Sequence, residues 1–190
     1  MQILRDATRL AHARIEAALP VLDPELSRGS YTRVIQAFYG FYAPLEPCLA
    51  LALPAEGAAL ALEQRAKVPL LVTDLIALGR TPSEVDVLPQ CRRLPGVASA
   101  SHAIGVLYVF EGATLGGQII RKHLRARLDI DPSSGAAFFS GYLDATRAMW
   151  MQFVDHVERS SSLVLDEAVV AAVDTFETLT SWLQSSLAQA

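Results

Sequence analysis

His12 combines a residue type and a position that suit a ligand site. If residues 2–19 form a helix, His12 lies at the edge of its apolar face, and Arg5 lies two turns earlier on the same side, about 10 Å away along the axis. Imidazole is the commonest metal ligand in proteins, and a guanidinium grips a carboxylate through two hydrogen bonds. One helix would then supply a metal ligand and a carboxylate partner. The alternative is a histidine at the core edge, satisfied by a carbonyl group.

A glycine-rich stretch, Tyr108–Gln118, is the second candidate. Gly112, Gly116 and Gly117 interrupt an apolar helical pattern, and each glycine inside a helix costs about 1 kcal/mol relative to alanine. Gly112 and Gly116 are four residues apart and share a face without side chains, and Tyr108 lies one turn earlier on that face. Such a face accepts a flat ligand, and close packing of helices through small residues is the alternative.

Together the two stretches predict a sandwich for a planar iron macrocycle, with an imidazole on one side and bare main chain on the other. The absence of bulky side chains on the second side would leave room for a diatomic gas and water.

The elements that position these residues are predicted to be helical throughout. Apolar residues recur with helical spacing, and no convincing run alternates as a strand does. The second helix is expected to begin near Ser30 and to be kinked or broken by Pro44 and Pro47. The sequence predicts one all-α domain over residues 1–190, an irregular bundle. Its helices are predicted at 2–19, from 30, 55–66, 69–79, 98–128, 134–159 and 165–187, with a long loop at 80–97.

Composition narrows the class of protein. The 190 residues are 52% hydrophobic and carry a net charge of −4, which disfavours nucleic acid as the main partner. Cys48 and Cys91 are isolated and are expected to be reduced thiols. The first turns are charged, and the longest apolar run, 103–110, ends at Glu111, so we expect no signal peptide and no membrane span. A soluble, cytoplasmic protein is predicted.

Several stretches of the chain resemble bacterial heme oxygenases. Residues 4–12 resemble their opening helix, and residues 107–118 resemble their distal helix. Residues 138–142, with Thr146, Met149 and Trp150, are similar to the later helix of the type associated with bacteriophytochromes. Residues 31–46 have the family's aromatic pattern. The resemblance covers nearly the whole chain and implies the heme oxygenase fold, with a glycine-kinked distal helix.

The resemblance also implies roles for individual residues. His12 matches the proximal heme ligand, and Gly112, Gly116 and Gly117 match the distal glycines whose backbone approaches the heme.

Further residues match the groups that bind the heme propionates. Arg5 and Tyr108 match two propionate partners, and Arg147 is a third basic candidate on the later helix, where relatives often have glycine. Ala113 stands where animal members have an aspartate, so other groups must order the distal water.

Heme would then be both cofactor and substrate. The resemblance implies cleavage at a meso carbon, expected to be α, to biliverdin, carbon monoxide and ferrous iron, with O2 and electrons from a ferredoxin or flavin reductase. Supply of bilin to a bacteriophytochrome is favoured over iron acquisition. The basic cluster of Arg121, Lys122, Arg125 and Arg127 is either a docking site for an acidic electron donor or only a complement to the helix dipole.

Two other classes remain open at this point. A heme carrier without turnover would have nearly the same sequence features. Thiaminase-like hydrolases and di-iron carboxylate oxidases share a related helical fold. A di-iron site needs Glu-x-x-His pairs, and no glutamate here has a histidine three residues later.

Overall fold

The computed structural model describes residues 1–54 and 56–188, and within these ranges the chain is helical, without strands. The α-helices are α1 (Gln2–Ala18), α2 (Arg28–Ala52), α3 (Glu56–Ala59), α4 (Val68–Ala77), α5 (Pro82–Asp86), α6 (Ala100–Leu128), α7 (Ala137–Ser140), α8 (Thr146–Arg159) and α9 (Leu165–Ala188). Short 3-10 turns lie at Pro20–Leu22, Leu62–Arg65 and Leu143–Ala145. The predicted all-α fold class is confirmed.

Helix α9 is the element around which the bundle is arranged. Helices α1, α2 and α6 all pack against it. The contact with α6 is close at Gly105, where a methyl group would collide with the carbonyl group of Ala168. The two helices that carry His12 and the distal glycines therefore share one supporting helix.

Helix α2 runs through both of its prolines, so it is not broken there, and the predicted kink stays a prediction. Pro44 has no N–H to donate to the carbonyl of Gly40, the residue four positions earlier. That carbonyl instead accepts a hydrogen bond of 2.8 Å from the backbone N–H of Cys91. The helix also starts earlier than predicted, because the N-cap is Ser27, whose hydroxyl accepts from the N–H of Ser30.

Three predicted segments divide differently in the structure. The predicted helix 55–66 consists of α3 and the 3-10 turn Leu62–Arg65, and residue 55 lies outside the described residues. The segment 134–159 is not one helix. Gly141 ends α7 and Leu143 begins the 3-10 turn before α8, and both have a positive φ of +53°, which a continuous helix does not allow. The predicted loop 80–97 contains α5, whose start is closed by a capping box between Thr81 and Glu84.

Helix α6 is capped by the hydroxyl of Ser99 and continues without interruption to Leu128. Its predicted glycine kink stays a prediction. By length and composition alone α6 could cross a membrane, which the length of the apolar run 103–110 did not indicate. However, 56% of its most apolar stretch is buried in the described protein, as in the core helix of a soluble protein.

An aromatic cluster packs behind the glycine-rich part of α6. The ring of Phe110 stacks on that of Tyr42, with centroids 4.0 Å apart. Phe38 contacts Phe138 and Phe139 of α7 with centroids 5.0 and 5.8 Å away. Helices α2, α6 and α7 are thus joined by rigid side chains on the buried side of the distal segment.

Candidate functional site

His12 lies beside the buried face of α1, which consists of Leu4, Thr8, Ala11 and Ile15. Its imidazole is 52% exposed and contacts the ring of Phe176 edge-on, with centroids 5.6 Å apart. Nδ1 lies 3.6 Å from a carboxylate oxygen of Glu16, one turn later. Neither ring nitrogen makes a hydrogen bond among the described residues, so the protein does not already engage Nε2.

The end of α1 is tied to α6. After the first helix, the carbonyl of Asp23 accepts a hydrogen bond of 3.0 Å from His123, and Glu25 pairs with Arg127 at 3.3 Å. The intervening 3-10 turn also contacts α6. Helices α1 and α6 thus share α9 as their support, and the segment that follows α1 contacts α6.

The three glycines of the distal segment have different surroundings. Gly112 is half-buried, and a methyl group there would reach Trp150 only at 3.9 Å. Gly116 is exposed, and a methyl group there would meet open space. Gly117 is buried, and a methyl group there would collide with the carbonyl of Phe139. Gly112 and Gly116 therefore leave a face open, whereas Gly117 allows α7 to pack closely on α6.

The candidate carboxylate-binding groups are accessible. Arg5 on α1 and Arg147 in the first turn of α8 are both exposed, and within residues 1–54 and 56–188 neither guanidinium forms an ion pair. Tyr108 is half-buried on α6, and its ring centroid lies 6.0 Å from that of Trp150 on α8.

Sequence reasoning missed a buried group of charges directly behind the open face. Glu111, the residue before Gly112, is fully buried and forms ion pairs with Arg65 and with Lys67, the latter at 3.0 Å. The hydroxyl of Tyr142 donates a hydrogen bond of 2.6 Å to the same carboxylate. We call Glu111, Arg65, Lys67 and Tyr142 the Glu111 cluster.

Burial shapes the protonation of the Glu111 cluster. Desolvation lowers the pKa of Lys67, while the charge of Glu111 opposes that change. Desolvation, with the Glu111 charge, raises the pKa of Tyr142 well above its ordinary value, so the phenol stays protonated. A sequence signal existed for Glu111, since it is the single charged residue between His102 and Arg121 in an apolar helix. A buried charge requires a partner.

A family model described as Heme oxygenase matches residues 1–185 of the chain. The chain belongs to the heme oxygenase family. It is also 31% identical over 156 residues to heme oxygenase PigA of Pseudomonas aeruginosa, an alignment that covers 80% of this chain and 74% of PigA. Heme degradation to biliverdin, with heme as cofactor and substrate, is the activity of this heme oxygenase.

Solved structures of heme oxygenases share the fold. The NO- and CO-bound enzyme from Neisseria meningitidis superposes with a TM-score of 0.78 at 23% identity, covering 100% of this chain and 92% of that one. Heme oxygenase-1 from the cyanobacterium Synechocystis, in complex with heme, gives 0.75 at 15% identity, covering 99% and 93%. The enzyme from Leptospira interrogans gives 0.74 at 17%, covering 97% and 98%.

The site of this heme oxygenase fits the group that the family binds. Heme needs an imidazole whose nitrogen is accessible, and Nε2 of His12 meets that need; its other face needs space, which Gly116 leaves. The described ranges contain no group of three or more histidine, cysteine, aspartate or glutamate residues that would hold a separate metal ion. Cys48 and Cys91 are free thiols, as predicted.

Proposed function

We propose that this heme oxygenase binds heme in the cleft between α1 and α6, with His12 as the iron ligand and the main chain at Gly112 and Gly116 on the opposite side. The observation that carries the proposal is the half-exposed imidazole of His12, which lies with Nδ1 3.6 Å from the carboxylate of Glu16 and makes no hydrogen bond at Nε2 among the described residues. Gly117 lies beside the open face but supports it through its contact with α7.

The heme propionates are proposed to bind Arg5, Tyr108 and Arg147. Both arginines are exposed and form no ion pair within the described ranges, so each can grip a carboxylate through two hydrogen bonds. These contacts set the rotation of heme in its plane and therefore which meso carbon faces the bound gas. We propose cleavage at the α carbon and release of biliverdin IXα.

The protein contributes position and environment to this chemistry. When bound, heme supplies the iron that activates O2 and the meso carbon that is oxidised. Glu16, whose carboxylate lies 3.6 Å from Nδ1 of His12, would help to orient the imidazole so that Nε2 could bind the iron. Gly112 and Gly116 present no side chain, and Ala113 supplies no acid, so main-chain groups and water would donate to the gas.

The proposed electron donor is an acidic protein, a ferredoxin or a flavin reductase. Three members of the basic cluster near the end of α6 line a shallow hollow: Arg121, Lys122 and Arg125, together with Ala126, Ile130, Asp131 and Pro132. Arg125 already pairs with Asp129 and Asp131 at 3.2 Å, and Arg127 pairs with Glu25. Arg121 and Lys122 form no ion pair among the described residues, so they are the charges proposed to meet the donor.

The proposed use of the product is as a bilin chromophore for a bacteriophytochrome, with iron acquisition from heme as the competing purpose. The resemblance of residues 138–150 to the phytochrome-associated type supports the first. The proposed location is the cytoplasm, where free thiols such as Cys48 and Cys91 persist.

Titration with hemin tests the assignment of His12. The wild type should bind hemin with a histidine-ligated spectrum; His12→Ala should lose that spectrum, and His156→Ala, which removes a histidine of α8, should keep it. After addition of ascorbate, or of ferredoxin with its reductase, the Soret band should fall as bilin absorbance rises. A stable Soret band would mean a heme carrier, and an unchanged spectrum in His12→Ala would overturn the ligand assignment.

A further inference from the structure

The Glu111 cluster joins chain segments that are distant in sequence at a point beside the proposed heme cleft. Glu111 lies on α6 immediately before Gly112, Arg65 and Lys67 lie between α3 and α4, and Tyr142 lies in the turn before α8. The side chains of Glu111 and Arg65 are both 0% exposed. Nζ of Lys67 is 3.0 Å from the carboxylate and 2.5 Å from the Tyr142 hydroxyl.

Two sets of hydrogen bonds connect this carboxylate to α8. In the first, Arg65 pairs with Glu111 and also donates to the carbonyl of Met149 at 3.1 Å and to the side chain of Gln152 at 3.2 Å. In the second, Tyr142 fixes the turn that leads directly into α8. Arg147 lies between the two attachment points in sequence.

The turn before α8 has little freedom apart from Tyr142. A methyl group at Gly141 would lie 3.2 Å from the side chain of Thr114 on α6, so the turn already packs tightly on that helix. Thr146 donates to the carbonyl of Leu143 at 2.8 Å. These contacts fix the position of the start of α8 relative to α6.

Stability alone does not account for four polar groups in this position. Desolvation of buried charges offsets most of their mutual attraction, and apolar side chains of similar volume often stabilise a core equally well. Charge-assisted hydrogen bonds instead impose distances and directions that apolar contacts do not. The cluster therefore fixes geometry between α6 and α8 beyond what packing would require.

We propose that the Glu111 cluster consists of positioning residues that set the seating of heme and therefore the meso carbon that is oxidised. It holds Arg147 of α8 at a defined place relative to Gly112 and Gly116 of α6. The position of the propionate contact relative to the open distal face is then constant. The inference rests on the proposed function, because it needs heme in the cleft between α1 and α6.

Two substitutions test the cluster with minimal change of shape. Tyr142→Phe removes one hydroxyl and keeps the ring, which lies 4.3 Å from Nζ of Lys67. Glu111→Gln keeps the volume and removes the charge. We expect the Kd for hemin to rise roughly three- to tenfold in Tyr142→Phe, the range that a lost buried hydrogen bond implies. The product, separated by chromatography, should change from one biliverdin isomer to a mixture.

Matched controls separate positioning from stability. Tyr39→Phe makes the same chemical change at a tyrosine whose hydroxyl forms no hydrogen bond among the described residues, and Asp155→Asn removes an exposed charge that pairs with Arg159 on α8. Both should keep the Kd for hemin and the isomer ratio of the wild type. Thermal unfolding of every variant should be recorded with and without hemin.

The outcomes distinguish this inference from the proposed function. If Tyr142→Phe lowers only the unfolding temperature and keeps the Kd and the single isomer, the cluster is structural and the inference is wrong. If Glu111→Gln does not fold, Tyr142→Phe still decides. If the wild-type protein itself binds no hemin in a histidine-ligated form, the proposed function fails, and the inference fails with it.

Discussion

Gly116 and Gly117 are neighbours in the chain, yet one faces open space and the other faces the carbonyl of Phe139. The same residue type is thus required for two different reasons at consecutive positions of α6. At Gly117 the requirement is steric and belongs to the packing of α7 on α6. At Gly116 the protein itself leaves room, so packing does not require glycine there, and we propose that a ligand does.

Substitution of Gly117 should destabilise the fold. In Gly117→Ala the methyl group would collide with the main chain of α7, which cannot move as a flexible side chain would. We expect the free energy of unfolding to fall by about 1–3 kcal/mol, the usual cost of overpacking. Denaturant unfolding measures it, and a free energy equal to that of the wild type would contradict the packing role.

Substitution of Gly116 should have the opposite effect on stability. Gly116→Ala should raise the free energy of unfolding by up to about 1 kcal/mol, because alanine favours the helix and the site has space. Gly116→Leu should remain folded but lose hemin binding, because its side chain would fill the distal side. If Gly116→Leu binds hemin as the wild type does, Gly116 does not face the heme.

Glu16 should affect the affinity for hemin through His12, without contacting heme itself. Its carboxylate lies 3.6 Å from Nδ1 of His12, so Glu16→Gln should raise the Kd for hemin by up to about tenfold. The control Asp6→Asn removes an exposed carboxylate from the same helix, where it accepts a hydrogen bond from Gln2 at 2.8 Å. Equal hemin titration curves for wild type and Glu16→Gln would show that Glu16 does not support the ligand.

Asp74 should make stability depend on pH. This buried carboxylate accepts from the N–H groups of Ala137 and Phe138 at 2.7 and 2.9 Å. Desolvation raises its pKa to about 6, although both hydrogen bonds oppose the change. Because the folded-state pKa is the higher one, the protonated group favours the folded state below pH 4, and this contribution is lost as pH rises through 6.

The difference between wild type and Asp74→Asn isolates this effect. Relative to Asp74→Asn, the wild type should lose about 3 kcal/mol of unfolding free energy between about pH 3 and pH 7, of which about 2 kcal/mol falls between pH 4 and pH 6. Denaturant unfolding at several pH values measures the two curves. Parallel curves would mean that Asp74 has an ordinary pKa in the folded protein.

Arg121 and Lys122 should govern the electron donor rather than heme. The double substitution to glutamate should raise the KM for an acidic ferredoxin and leave the Kd for hemin unchanged. The increase should shrink as salt is added, because exposed charges are screened over about 10 Å at 0.1 M. Arg159→Glu on α8 is the control, and an equal rise in KM there would point to net charge instead of a docking site.

Much of the fold could be predicted because helical periodicity is local. The spacing of apolar residues located α1, α4, α6 and α9 to within about two residues. The course of α2 could not be predicted, because the group that satisfies Gly40 is the N–H of Cys91, about fifty residues later. The division of 134–159 depends on left-handed conformations, and Leu143 carries no sequence signal for one.

The candidate site could be predicted where the ligand imposes a residue type. His12 and the glycines stand out because an imidazole and a missing side chain are locally visible. The partners of Glu111 could not be predicted, because Arg65 and Lys67 come from a short irregular segment more than forty residues earlier. Ion pairs between residues that are far apart in the sequence leave no periodic pattern from which they could be predicted.

Pro44 makes an acceptor available at the surface of α2 that a regular helix would have used internally. The segment that crosses α2 is anchored there by the main chain of Cys91, so the hydrogen bond itself does not depend on the thiol. Removal of the amide hydrogen at that position would release it. Of all substitutions at position 91, proline is therefore the one that would remove this anchor whatever its side chain contacts.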